Sequence, residues 1–406
     1  MNRRIAGWAA AAGTAISLLY QLPVQAASSP LISGLEEAGE AEGPALSENW
    51  EEAEDSGETA AVSDEALNDN LIEYIELEQL IRTGNSSAVN TQKSYENSLE
   101  IYQAAYDSLI SAKRDMINKA DELEDEGAAD ELIANYDQNA KILSSSAGQM
   151  KRSINSLNSA TSQASINRTI NSLVKSAQTL MYSCKQMEYQ ASAAEKRVEA
   201  QNAAYELASS RRQAGLMTET ELLEAEKSLL NAQASLQSTK DSADKLKRQL
   251  AVMIGKNADE IQIGEIPAVT QEELAGMNLP EDKQKAVIAD SNVKSVKKST
   301  ATGDTARKLR RQQLAEAEGT ASLTMDELYQ AVTEAKQLYE GAAASYAAAE
   351  KDYGALQTKY RAGMINKSTY LSGEATWYTA IASYRSAEIT FKQAVESYQW
   401  AIKGIS

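Results

Sequence analysis

The chain has 406 residues, 58 acids against 40 bases, a formal net charge of −18, one cysteine, five prolines and no histidine. Without histidine there is no histidine-based triad or zinc cluster, and one cysteine cannot close a disulfide within the chain. The wealth of Ala, Ser, Glu, Leu, Gln and Lys beside a single Phe is the composition of long helices, and no basic stripe points to nucleic acid.

Residues 1–27 read as an export signal. Asn2-Arg3-Arg4 is the charged start, Ile5 to Leu22 the apolar region, and Val24-Gln25-Ala26 a small-x-small cleavage site. No cysteine stands at the cleavage site, so a lipid anchor is not expected, and no other run is apolar enough to span a bilayer as a helix. Residues 28–60 carry ten acids and no base. With so little to bury, 28–63 is expected to be a disordered acidic spacer.

The remainder reads as a first helical repeat at 64–255, a linker at 256–280 and a second helical repeat at 281–406. Leu67 to Arg82 predicts a short amphipathic helix closed by Thr83-Gly84-Asn85. Ser86 or Ser87 then caps a long helix in which Tyr95, Tyr102, Leu109, Met116 and Leu123 recur every seventh residue. A break is expected near Gly127, and 130–213 reads as almost unbroken helix. For the first half to balance in length, part of 128–160 must break, loop or overhang. Cys184, mid-helix among apolar neighbours, reads as a small buried residue. After Gly215 a helix resumes through Leu222, Leu229, Leu236, Ala243 and Leu250 and ends at Met253-Ile254-Gly255. Lys256 to Pro280 predicts a surface linker with a short extended piece around Ile261 and Ile263.

The second half predicts a helix from Glu281 to about Lys298, a turn at Ala301-Thr302-Gly303 with Asp304 as cap, and a helix to Arg361. That helix is a rod of about 85 Å at ~1.5 Å per residue. Its last part carries Tyr339, Tyr346, Tyr353 and Tyr360 at spacing seven. Gly363 reads as a tight reversal, with Asn366 or Ser368 capping the final helix. There Tyr370, Trp377, Tyr384, Phe391, Tyr398 and Ile405 recur by seven, and Gly373, Ala380, Ala387, Ala394 and Ala401 follow three places behind. A 3.5-residue period in large and small residues is the seam of a left-handed coiled coil.

The two reversals belong to a duplication. A shift of 148 carries Leu222, Leu229, Leu236, Ala243 and Leu250 onto Tyr370, Trp377, Tyr384, Phe391 and Tyr398. It also carries Ala214-Gly215 onto Ala362-Gly363, Leu223 onto Leu371, Glu226 onto Glu374 and Tyr205 onto Tyr353. One supersecondary unit is used twice. The fold class is therefore all-α, two tandem antiparallel coiled-coil hairpins with little or no β.

The duplicated Ala-Gly-[Leu/Met] turn, the opening Leu80-Ile81-Arg82-Thr83-Gly84-Asn85 and the ending Leu250-x-x-x-Ile254-Gly255 resemble the TolC family of outer-membrane efflux and secretion channels. The resemblance spans roughly 67–404. It implies a homotrimer forming a hollow helical cylinder, a passive conduit that docks with a periplasmic adaptor (membrane fusion) protein and an inner-membrane pump. It implies that Ala214, Gly215, Leu216, Ala362, Gly363 and Met364 are adaptor-contact tips, and that Glu221 and Tyr360 stand at the pore constriction. A ring of three Glu221 carboxylates would favour cations. Equally, Glu219, Glu221 and Glu224 suit the first turn of a helix, where acids are favoured. The family's partner arginine falls on Ile365 and its second-repeat acids on Thr369 and Ser372, so that gate network is not reproduced.

Family members also insert strand pairs that build a barrel. The resemblance implies the outer membrane or periplasm, but no such alternating stretch lies near 125–165 or 296–325, so the sequence suggests a tunnel without its barrel, suited to an envelope without an outer membrane or to a partner that provides the membrane end. Membrane contact stays open. The other reading is a structural coiled-coil protein of the envelope. An adaptor hairpin would need flanking strand-rich segments, and an enzyme is not expected, with no catalytic residue, metal or cofactor to assign. Two seams per helix are required by a hollow wall. Tyr95, Tyr102 and Tyr106 offer them, as do the adjacent pairs Leu222/Leu223 and Leu229/Leu230.

Overall fold

A computed structural model of the chain describes residue 67 and residues 69–405. The export signal and acidic spacer expected at 1–63 lie outside the described residues.

Helices dominate. In chain order they are α1 (Leu77–Gly84), α2 (Ser86–Asp125), α3 (Asp130–Leu157), α4 (Ala160–Gln213), α5 (Glu219–Ile254), α6 (Gln271–Ala275), α7 (Leu279–Ala289), α8 (Ser291–Lys298), α9 (Asp304–Arg361) and α10 (Lys367–Ile402). Among the described residues the one sheet is a parallel pair, β1 (Leu71–Ile72) on β2 (Gln262–Ile263). Both regions that lack a strand pattern, 125–165 and 296–325, are helix and short turns.

The chain differs from the sequence expectation at four places. Leu67–Arg82 is not one helix. Residues 71–72 are extended because their backbone pairs with the linker, Gln262 N–H to Asn70 O at 2.7 Å and Gly264 N–H to Ile72 O at 2.9 Å, while Ile72 is wholly buried. Asn85, not Ser86 or Ser87, caps α2, its Oδ1 accepting from the N–H groups of Ser87 and Ala88. The break expected within 128–160 falls at Asn158–Ser159, where Ser159 caps α4 and Asn158 accepts from the Tyr95 hydroxyl at 2.7 Å. The helix expected over 281–298 breaks at Asp290, whose carboxylate caps α8 through Val293 N–H. Gly303, rather than Asp304, is the residue that precedes α9.

The break at 158 settles the length of the first half. α2 and α5, of 40 and 36 residues, stack end to end beside α3 and α4, of 28 and 54. In the second half α7 and α8 stack with the 36-residue α10 beside the 58-residue α9. The stacking joints are built alike. Gly255 (φ 72°) at the end of α5 meets the backbone of Gly84, and Gly404 (φ 77°) beyond α10 meets the backbone of Ala289. Beside these joints stand the two caps Asn85 and Asp290, and the buried Ala88 and Val293 three residues after each.

The long helices form a row. α5 packs on α4, α4 on α10 and α10 on α9, and no comparable contact joins α5 to α9. A closed bundle would have brought the outer two together. Two buried clusters hold the row at its waist. One gathers Leu77, Ile81, Val174, Met181, Leu250 and Ile261, and the other Met325, Val332, Phe391, Val395, Tyr398 and Ala401. Below the second cluster the α9–α10 seam is aromatic. Tyr339 stacks on Phe391 and Tyr384 at 5.9 and 5.5 Å, Tyr353 on Trp377 at 4.5 Å and Tyr360 on Tyr370 at 4.6 Å. Such pairs add roughly 0.5–1.5 kcal/mol each beyond area burial.

α2 and α3 make a hairpin that packs chiefly on itself and is reversed at Gly127 (φ 72°). The second half has only the turn at Gly303 in its place. Leu109→Asp, in the seam of this hairpin, is expected to raise amide exchange over α2 and α3 while protection at the waist is kept; loss of protection throughout would show the hairpin to be part of the cooperative core.

Candidate functional site

The two reversals are the same structure made twice. At the end of α4, Gly215 (φ 73°) donates to Arg212 O at 3.0 Å and Leu216 N–H to Arg211 O at 2.8 Å. At the end of α9, Gly363 (φ 68°) donates to Tyr360 O at 3.0 Å and Met364 N–H to Lys359 O at 2.9 Å. This six-to-one bond with a left-handed glycine closes a helix and turns the chain sharply. Thr218 then caps α5 and Asn366 caps α10.

Both tips lie at one end of the row, since α4 and α10 are antiparallel neighbours tied near that end by Lys196 and Glu374 at 3.7 Å. Ala214, Gly215, Ala362 and Gly363 are exposed there, with nothing near the two glycines. Leu216 and Met364, at 78% and 77% exposure, stand at equivalent places on the two tips. Two bare apolar side chains on rigid turns can be gripped by a partner and do no chemistry of their own.

Glu221 and Tyr360 have local duties. The Glu221 carboxylate accepts from the Thr218 N–H and hydroxyl, both at 2.8 Å, completing a capping box. These bonds, backbone first, hold its carboxyl below the ordinary carboxylate value. Tyr360 closes the aromatic seam on Tyr370. Ile365 is half-buried and Thr369 donates to the Asn366 side chain.

The sequence did not reveal a strap. Residues 256–280 run from the α5 end across α4 to α10, and Ile261 and Ile263 are buried, so this linker is part of the core and not a surface connection. Two buried lysines fasten it. Lys185 on α4 reaches Glu265 at 2.9 Å, Glu188 at 3.1 Å and Ile263 O at 3.2 Å. Lys392 on α10 meets Glu273 and Glu396. A lysine in a helix of mixed polarity carries no sequence mark of burial. Burial pushes the Cys184 thiol up to about 12, which makes it inert.

The outer faces of the row are the other exposed apolar feature. α5 exposes Leu223, Leu230 and Val252, while Leu229 turns inward; α9 exposes Leu309, Leu323 and Leu338. The paired leucines of α5 thus face two ways. Val252 and Leu323 were legible only through the duplication, as counterparts of Trp400 and Lys175 on the contact between the halves.

No family model and no curated protein matches the sequence. The solved structures it is similar to are TolC-family outer-membrane channels. One is the outer-membrane channel OprN, at 11% identity over 82% of this chain and 90% of that one, with a TM-score of 0.44. Another is the Campylobacter jejuni CmeC channel, at 12% identity over 82% and 86%, with a TM-score of 0.43. A third is the open state of the Neisseria gonorrhoeae MtrE channel, at 14% identity over 82% and 89%, with a TM-score of 0.44. Among the described residues no helix is long and apolar enough to cross a membrane.

Proposed function

We propose that the chain is the protomer of a passive export conduit of the cell envelope. Three copies close into a hollow helical cylinder, and the glycine tips dock with an adaptor protein and, through it, an inner-membrane pump. The observation that carries this is the row of four long helices, open at both edges, with two equivalent tips at one end. A row is a section of wall, and apolar edge faces need another copy. The energy for transport comes from the pump, since the wall offers only a lumen. We further place the conduit in an envelope where the α2–α3 hairpin, rather than a barrel, forms the end opposite the tips.

The test is the signal-free protein from residue 28 in solution without detergent. Sedimentation is expected to give three chains, and electron-microscope end views a ring with an open centre. An elongated monomer or a solid rod would favour the structural coiled-coil reading. Leu216→Glu with Met364→Glu is expected to leave the trimer intact and abolish adaptor binding.

A further inference from the structure

We propose that the start of α9 carries a phosphate-binding hollow walled by Arg307, Arg310 and Arg311. With Ala301 these three arginines line an open cavity of about 300 Å³, where the turn after α8 meets α9. The site does not depend on the conduit reading. It lies at the end of α9 opposite the glycine tip.

Seven bases and one acid lie between Lys294 and Arg311, in a chain whose formal charge is −18. The bases that close α8 have a local reason. Lys297 and Lys298 stand in its last turn, where cations suit the carbonyl end of a helix. The bases of α9 have none. Arg307, Lys308, Arg310 and Arg311 fall within its first eight residues, at the end that disfavours positive charge. Arg307 is also three and four places from Arg310 and Arg311, so like charges are neighbours on one helix face.

Little neutralises them. Among the described residues the seven bases make two ion pairs, Lys297 with Glu318 at 3.2 Å and Arg307 with Asp304 at 4.0 Å. The second is exposed on both sides and contributes little. Arg310 Nη1 donates to Ser299 O at 2.8 Å, which fixes that guanidinium against the turn. Lys298 Nζ donates to the Thr161 hydroxyl at 3.3 Å, which brings the end of α8 to the start of α4. Arg168 of α4 adds its charge there. Burial first, and then Arg168, lowers the Lys294 amine. Positive charge therefore continues from α9 across α8 to α4.

The duplication shows that the fold does not need the charges of α9. The shift of 148 sets Ser159, Ala160, Ser162 and Gln163 at the places of Arg307, Lys308, Arg310 and Arg311. A helix of the same kind starts there without a base. The ligand class follows from the donors. A carboxylate has two oxygens and one charge, too few for three planar forks. A phosphate monoester has three terminal oxygens and close to two charges. It is carried either by a soluble compound or by a lipid headgroup.

The test is calorimetric titration of the signal-free chain with inorganic phosphate at low salt, beside co-sedimentation with phosphatidylcholine vesicles with and without phosphatidic acid. Saturable phosphate binding is expected, weakened by about tenfold or more in Arg310→Gln/Arg311→Gln. Lys336→Gln/Lys351→Gln removes the same charge from exposed places farther along α9 and is expected to bind as the wild type does. Arg307→Lys/Arg310→Lys/Arg311→Lys keeps the charge but loses the forks, and is expected to bind more weakly than the wild type. Co-sedimentation that requires phosphatidic acid would assign the phosphate to a lipid headgroup, and phosphate binding without it would assign a soluble source; both support the site. Absence of saturable phosphate binding by the wild type would overturn it. So would an equal loss in the Lys336/Lys351 variant or full binding by the Arg→Lys triple, since either reduces the hollow to general charge attraction.

Discussion

Gly255→Val is expected to destabilise the protein by about 2–5 kcal/mol. Gly255 sits at φ 72°, where a β-branched side chain costs roughly 1–2 kcal/mol. A Cβ there would also overlap the carbonyl and Cα of Gly84, and overpacking of this kind costs about 1–3 kcal/mol more. The obstacle is backbone, so no side chain can turn aside. The joint between α5 and α2 would have to open, and with it the cluster of Leu80, Ile81, Leu250 and Ile254. A fall in the thermal midpoint on the order of 5–10 °C follows. Gly404→Val, against Ala289, should behave alike. Gly215→Ala is the control. Its φ is 73° but nothing lies within 4 Å of the added carbon, so a loss of only about 1 kcal/mol is expected. Equal losses at Gly255 and Gly215 would show that backbone strain alone matters and that the stacking joint is loose.

Lys392→Ala is expected to cost about 3–5 kcal/mol at neutral pH, because it leaves Glu273 and Glu396 in a largely buried site without their counter-ion. The pH dependence should change sign. Burial raises the Glu273 carboxyl, but Lys392 and the Thr270 N–H together outweigh it and hold the group below its ordinary value of 4.5. A carboxylate depressed on folding stabilises above the unfolded value, and that stability is lost as pH falls through the folded one. The wild type should therefore weaken below about pH 4.5. Without the lysine, burial of Glu273 is opposed by Thr270 alone, its carboxyl rises, and acidification relieves the variant. Thermal midpoints at pH 7 and pH 4 should converge. A constant gap would mean that the lysine acts through packing of its stem.

The sequence made most of the architecture readable because the determinants are local and repeated. Gly215 and Gly363 sit where only a left-handed turn fits, and the every-seventh-residue Tyr and Trp ladder fixes the α9–α10 seam. The break at Asn158–Ser159 was harder to place, since a Ser- and Asn-rich stretch suits a helix interior and a cap almost equally. β1 was hidden because Leu71 and Ile72 become extended only when the linker arrives from 191 residues away in sequence. Lys185 and Lys392 were hidden for the same reason, their burial being created by a strap and not by their own helices. Of the candidate site, the tips are visible at both levels. Glu221 shows what a single sequence cannot separate, as a capping acid and a lumen acid obey the same local rule.

The α2–α3 hairpin occurs once per chain, whereas the glycine reversal occurs twice. In the ring proposed above, the two ends would therefore present different numbers of near-equivalent sites. A partner at the tip end meets twice as many near-identical sites as there are copies, and can rotate by half a protomer and bind again almost as well. A partner at the hairpin end meets one site per copy and has no such freedom. The small differences between Leu216 and Met364, and between a leucine seam and an aromatic one, are then all that sets the angular register of whatever sits on the tips.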